Sequence, residues 1–346
     1  MQAYDYAFTA AVIIALLLAS ISIVSRTPQP AINTSEVDQL KMVTQKIMAQ
    51  LILNPGDPPE WGCNISISKD NLRSIGLAAY TVFTRNAYVL DLDKVQRLSK
   101  NLEGLDLYIP PSKMLKLLNL GMEYGIKLRF TPILNVIVTD KGNGVFEVNV
   151  ASELGLPVAD VNVTARIFYE ANGEIRGTDS LKNSTYGNGA CTLNFGNVQT
   201  PALIVVAADY FGVQSVKIQG IGNINKAYFI GDLLILENQT IDSLHQVFVS
   251  KYSNGSCFIG NVACKVVEKS RASGYRVYKA DFVEPNVVAL LAVTNTLVVA
   301  YKEVPDSYSS IESGNVYPAL SYTLERTVRI GLSTYILKIH VWRASW

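Results

Sequence analysis

Hydrophobic and polar positions change rhythm several times along this 346-residue chain. Residues 7–24, AFTAAVIIALLLASISIV, run without a charge, a proline or a glycine. At about 1.5 Å of rise per residue, a helix of this stretch reaches roughly 27 Å, near the thickness of bilayer hydrocarbon. The pattern predicts a long apolar helix over residues 1–26: a membrane helix, a cleaved secretory signal, or a helix that starts in the membrane and ends buried in an assembly, the signal being disfavoured by the absence of Lys or Arg ahead of it. Pro28 and Pro30 then kink or stop it, so residues 27–34 read as a hinge. From Ser35, a good N-cap, Val37, Leu40, Val43, Ile47 and Leu51 recur at spacings of three and four, with Lys41, Gln45 and Gln50 off the stripe. That spacing predicts an amphipathic helix to about Leu53, packed on a folded head. NPGDPPEWG at 54–62 ends it in a rigid turn with Trp61 as an anchor.

The next stretch, 54–129, reads as a small α/β layer. It has short strands, then a helix capped by Asp91 with Leu92, Val95, Leu98 and Leu102 on one side, then a second helix after Pro110-Pro111. From Tyr124 the period drops to two. Phe146, Val148 and Val150 alternate with Glu147 and Asn149. Val161, Val163, Ala165, Ile167 and Tyr169 are expected to face inward, and Asn162, Thr164, Arg166 and Phe168 outward. Strand spacing and turns predict an immunoglobulin-like sandwich over 130–219. Residues 220–346 are expected to form a C-terminal β domain. Within it, NVVALLAVTNTLVVAYK is broken by Thr294-Asn295-Thr296, which predicts two buried strands and a turn rather than a second membrane helix. In the last strand, Tyr335, Leu337, Ile339 and Val341 share one face, and Lys338, His340 and Trp342 the other. The expected fold class is therefore α+β: a long apolar N-terminal helix, kinked near residues 27–34, followed by a largely β head that includes the sandwich.

Composition narrows the function. Hydrophobic residues make up 49% and charged residues 17%, enough for a sizeable core and too apolar for a disordered chain. With 30 basic and 29 acidic residues, the net charge of +1 offers no footprint for nucleic acid or a polybasic membrane patch. None of the four cysteines lies in a C-x-x-C pair, which disfavours zinc and thioredoxin-like sites. An even count in an exported chain suggests two disulfides. Gly260-Asn261, between Cys257 and Cys264, suits a two-residue hairpin turn that would set these two opposite each other. Cys63 and Cys191 follow as the second bridge by elimination; four buried free thiols is the competing reading. N-x-[ST] sequons stand at Asn33, Asn64, Asn162, Asn183, Asn238 and Asn254 and lean the head towards the cell exterior. Arg26, the first basic residue, follows the apolar stretch and by the positive-inside rule points the other way. A basic leader removed ahead of residue 1 would reconcile the two.

Candidate chemistry is sparse. His245 in DSLHQ sits beside Asp242 and Ser243, but triads are assembled in space and no G-x-S-x-G elbow occurs. His340 reads as a satisfied strand histidine. Asp91-Leu92-Asp93 opens like a calcium loop but lacks the required Gly and closing Glu, so a helix cap explains it better. Gly220-Ile221-Gly222 has neither the third glycine nor the following helix of a dinucleotide motif. No catalytic, metal or cofactor residue is assigned, and an enzyme is not expected.

MQAYDYAFTAAVIIALLL at the start resembles archaeal type IV pilin-like proteins. NPGDPPEWG at 54–62, IGLA at 75–78 and YVLDLDKV at 88–95 resemble a pattern in exported archaeal proteins of that group. LERTVRIGLSTYILKIHVWR at 324–343 is similar to their closing strands. The resemblance covers both ends and the first third of the chain, and no enzymatic activity travels with it. It implies a structural subunit of an extracellular pilus-like filament at the cell surface, inserted in the membrane before assembly. Its partners would be copies of itself in a helical array, with surface or cell-bound glycans as a further class. Assembly would run through the first helix, where Ala11, Ala15 and Ala19 allow close approach beside Ile14, Leu18 and Ile21. Asp5 would take the part of the acidic residue that pairs with a neighbour's terminal amine. The alternative is a membrane-anchored adhesin or tip subunit that does not polymerise alone.

Overall fold

The computed structural model describes residue 13 and residues 34–80, 85–121, 123–251, 257–272, 274–284, 286–310 and 320–343. Among the described residues 53% are strand and 13% helix, and no described helix is long and apolar enough to cross a membrane. This corrects the expected α+β class led by a long apolar helix: the fold is predominantly β. Among the described elements, helix is confined to residues 34–53 and to short turns between 92 and 117, and strands make up the rest. Apart from Ile13, the stretch 7–24 lies outside the described residues.

The first unit is a frame built from both ends of the chain. Helix α1 (Thr34–Leu53) buries Leu40, Ile47, Met48, Leu51 and Ile52. It lies on a six-stranded sheet of β1 (Ala78–Tyr80), β2 (Arg85–Leu90), β3 (Tyr124–Pro132), β20 (Ser307–Ser309), β21 (Ser321–Ile330) and β22 (Ser333–Arg343), in the order β1-β2-β21-β22-β3-β20. Leu337, Ile339 and Val341 of β22 and Ile126 and Leu128 of β3 fill one core with the helix and Trp61. Trp342, expected on the outer face, is buried as well, because Gly125 opposite it leaves a seat for the indole. Helices α2 (Leu92–Gln96) and α3 (Pro111–Leu117) and a 3-10 turn (Lys100–Leu105) close the frame.

Two β modules are inserted between β3 and β20. The first is a sandwich. One sheet is β4 (Leu134–Asp140), β5 (Val145–Ser152) and β9 (Ala190–Asn194). The other runs β11 (Val213–Ile221), β10 (Ala202–Tyr210), β6 (Asn162–Ala171), β7 (Glu174–Gly177), with β8 (Leu181–Ser184) also on β6. Three strands facing five, with this order, is an immunoglobulin-like arrangement. Val161, Val163, Ala165 and Ile167 point into its core as alternation predicts. Phe168 and Thr164, expected to face solvent, are buried instead, because the outer face of this sheet packs on the second module. Every residue from Ala202 to Ala208 is buried, the signature of a strand covered on both faces.

The second module has eight strands ordered β15-β14-β18-β19-β12-β13-β17-β16. They are β12 (Asn225–Ile230), β13 (Leu233–Glu237), β14 (Ser243–Lys251), β15 (Cys257–Cys264), β16 (Val266–Ala272), β17 (Tyr275–Ala280), β18 (Val287–Val293) and β19 (Leu297–Tyr301). Strand β12 pairs with β19 through Asn225–Ala227 and with β13 through Tyr228–Ile230, so it turns a corner between two layers. β15 and β16 do the same around Lys265. Strands β18 and β19, joined through Thr294 and Thr296, are the two buried strands predicted for that run. The strands expected to form one domain over 220–346 divide: β12 to β19 form this module, and β20, β21 and β22 return to the frame sheet.

The cysteine expectation is also overturned. All four are free thiols. Cys257 and Cys264 stand at opposite ends of the single strand β15, opposite Lys251 and Leu244 of β14. Gly260 marks no turn. It lies beside the Phe248 and Phe258 rings, which a Cβ would meet at 2.7 Å. Cys191 belongs to the sandwich core and Cys63 to the frame, so they too cannot bridge.

Candidate functional site at the module junction

The frame meets the second module at helix α2, and the polar groups gather there. Asp91 caps the helix, its carboxylate accepting from the Asp93 and Lys94 amides at 2.9 and 3.4 Å. The turn it starts aims four side chains in two directions. Lys94, fully buried, donates to the carbonyls of Pro55 and Ala78, both at 2.9 Å. Arg97, also buried, donates to the carbonyls of Leu107 at 2.8 Å, Ile67 at 2.6 Å and Trp61, and lies over the Trp61 ring. Pro55, Trp61 and Ile67 belong to the loop from 54 to 77, which has little sheet pairing, and the two cations supply donors to their carbonyls there. Burial lowers the Lys94 ammonium and brings Arg97 down to about 10. Burial, reinforced by Asp93, raises the Asp91 carboxyl. Cys63, at the rim, has its thiol pushed up by burial and then by Asp93.

Asp93 and Gln96 face the other way. Asp93 accepts from Lys302 Nζ at 2.8 Å and from the Gly231 amide at 2.9 Å. Lys302 also donates to the Gly231 carbonyl and sits 4.3 Å from the Phe229 ring centroid. Gln96 Nε2 donates to the Phe229 carbonyl at 3.2 Å. Around them Leu102, Leu107, Ile230, Ile235 and Val277 form a small apolar core across the junction.

Beside this clasp lies a cavity of about 430 Å³. Gln96, Ser99, Asn101 and Leu102 supply one wall, Lys226, Tyr228, Ile235, Glu237, Val299, Tyr301 and Glu303 the others. It adjoins a wider cleft of about 820 Å³ between the frame and the sandwich, the two sharing Ser99, Asn101, Tyr301 and Glu303. Glu303 accepts from Asn101 Nδ2 at 3.0 Å and from the Tyr301 hydroxyl, whose own pKa burial and this carboxylate push up to about 12.

Asp5, Ala11, Ile14, Ala15, Leu18, Ala19 and Ile21, and the sequons at Asn33 and Asn254, lie outside the described residues. Asn162 and Asn238 are exposed. Asn64 and Asn183 are half-buried, with Asn64 Oδ1 accepting from the Ser66 amide and Asn183 Nδ2 donating to the Thr192 carbonyl. Ser243 Oγ and His245 Nδ1 are both buried without a partner, hence not bonded to each other, and burial lowers the His245 pKa. That geometry is no triad. His340 shares a 2.8 Å hydrogen bond with Thr323 Oγ1. Among the described residues no cluster of His, Cys, Asp or Glu could hold a metal ion. The junction itself was missed from sequence, where only the cap at Asp91 was visible.

No protein-family model matches this chain, and no curated protein matches it. Among solved structures, a two fibronectin type-III domain segment from chicken tenascin is similar to part of it, at 10% identity, over 49% of this chain and 97% of that one. The TM-score is 0.18, so the likeness carries no argument about the fold, which rests on the strand order and cores described above.

Proposed function

We propose that this chain is a structural subunit of an exported, pilus-like surface filament of the archaeal type, in which the frame serves assembly and the two β modules are displayed. The observation that supports this reading is the convergence of the frame. The stretches 54–62, 75–78, 88–95 and 324–343, which carry the resemblance, are spread over almost the whole chain. Their apolar residues, including Trp61, Ile75, Leu77, Leu90, Val95, Val328, Leu337 and Ile339, meet in one core under α1. The modules between β3 and β20 can then vary without disturbing that core, as a displayed head requires. The role is structural rather than catalytic, and the exposed sequons at Asn162 and Asn238 suit glycans on the outer surface. Immunogold labelling of intact producing cells with antibody to residues 134–301 tests it. Label along filaments, recovered with them after shearing, is the expected result. Label found only inside lysed cells would overturn the reading.

A further inference from the structure

We propose that the paired cavities at the module junction form a binding site for a neutral, hydroxyl-rich ligand, that is, a short carbohydrate. This inference goes beyond the filament reading and does not depend on it.

The first observation is an unused acceptor. Gln96 is 5% exposed and lines the smaller cavity. Its amide orientation is determined, because Nε2 must face the Phe229 carbonyl, which can only accept. That leaves Oε1 buried with no protein partner. Glu153, lining the adjoining cleft, likewise has Oε2 buried with no protein partner. A buried acceptor left unpaired costs about 1–3 kcal/mol, so two beside one continuous cleft favour a donor supplied from outside.

The second observation is the mixture of surfaces. The buried Leu102, Ile235 and Val299 give the lining an apolar backing, and the half-buried Tyr228 and Tyr301 add aromatic rings. Ser99, Asn101, Glu237 and Glu303 interleave acceptors and donors. Sugars carry the complementary mixture, an apolar C–H face and a rim of hydroxyls that both donate and accept. The volume falls in the range of about 300–1,000 Å³ usual for small-ligand sites, and the shared wall at Tyr301–Glu303 leads to room for further rings. Charge argues for a neutral ligand. Glu237 and Glu303 face any anion, Lys226 faces any cation, and Glu303 is already engaged by Asn101 and Tyr301.

Titration calorimetry of the purified chain with maltose, cellobiose, chitobiose, lactose and mannobiose, and with spermidine as a cationic comparison, tests the proposal. Saturable binding of at least one disaccharide is expected, weakened tenfold or more by Glu303→Gln and by Gln96→Leu in protein that melts as wild type does. Gln96 also fastens Phe229, so if Gln96→Leu melts early, Glu303→Gln together with Tyr228→Ala decides. No binding of any disaccharide, binding undiminished by these variants, or binding of spermidine alone would each overturn the proposal.

Discussion

Replacing Lys302 by Met removes one half of the ion pair that joins the frame to the second module. Lys302 Nζ and Asp93 Oδ2 are 2.8 Å apart, and each side chain is only 11% exposed. At an effective dielectric of about 20, two unit charges at that distance attract by about 6 kcal/mol before desolvation is subtracted. Without Lys302, Asp93 keeps the Gly231 amide at 2.9 Å and loses its one ion-pair partner among the described residues. Stranding a buried charge in this way costs about 3–5 kcal/mol, a large share of the 5–15 kcal/mol typical of folded domains. Methionine keeps the stem packed on Phe229, so the loss reports charge rather than volume. Urea unfolding followed by tryptophan fluorescence, with hydrogen exchange at Phe229 to Gly231, reads the effect at the frame and at the junction separately. Adding Asp93→Asn to Lys302→Met is expected to recover most of the loss, since a neutral amide still accepts from Gly231. A loss under about 1 kcal/mol, the range of exposed pairs, would refute the reasoning. A double variant as unstable as the sum of the two singles would do so too.

Three further outcomes are expected. Gly125→Ala should destabilise the frame by about 1–3 kcal/mol or more, because its Cβ would stand 2.0 Å from the Trp342 ring and β3 is paired on both sides; an unchanged urea midpoint would contradict this. Intact mass without reductant should show four free thiols, with Cys63 labelled in the native state and Cys191 and Cys257, buried and pushed up to about 11, labelled only on unfolding; a mass lower by two hydrogens would restore a disulfide. Burial lowers both His245 and His340 below 6.5, so the unfolded chain binds more protons just below that pH. Stability should therefore fall as pH drops through that window, and His245→Gln should flatten the urea-midpoint profile there; an identical slope in the variant would exclude His245 as a contributor.

Local pattern determined the elements. The three-and-four spacing of Val37, Leu40, Val43, Ile47 and Leu51 sufficed for α1, because a helix needs only one apolar stripe to dock. Alternation placed Val161, Val163, Ala165 and Ile167 in the sandwich core, and the Thr294–Thr296 break separated β18 from β19. The cap at Asp91 was legible because capping is a contact within four residues. What failed were inferences that needed to know a neighbour far along the chain. Phe168 occupies an outward strand position and is nonetheless buried, since a module some eighty residues later covers that face. Gly260 carries the mark of a turn, yet it is a seat beside two phenylalanine rings in mid-strand, and the cysteines around it cannot meet. The discontinuity of the frame, the Asp93–Lys302 clasp and the cavity beside it were invisible for the same reason. Periodicity is a property of a dozen consecutive residues and survives in the sequence. Which face meets which, and what charge a buried lysine finds there, is decided only when distant strands pack.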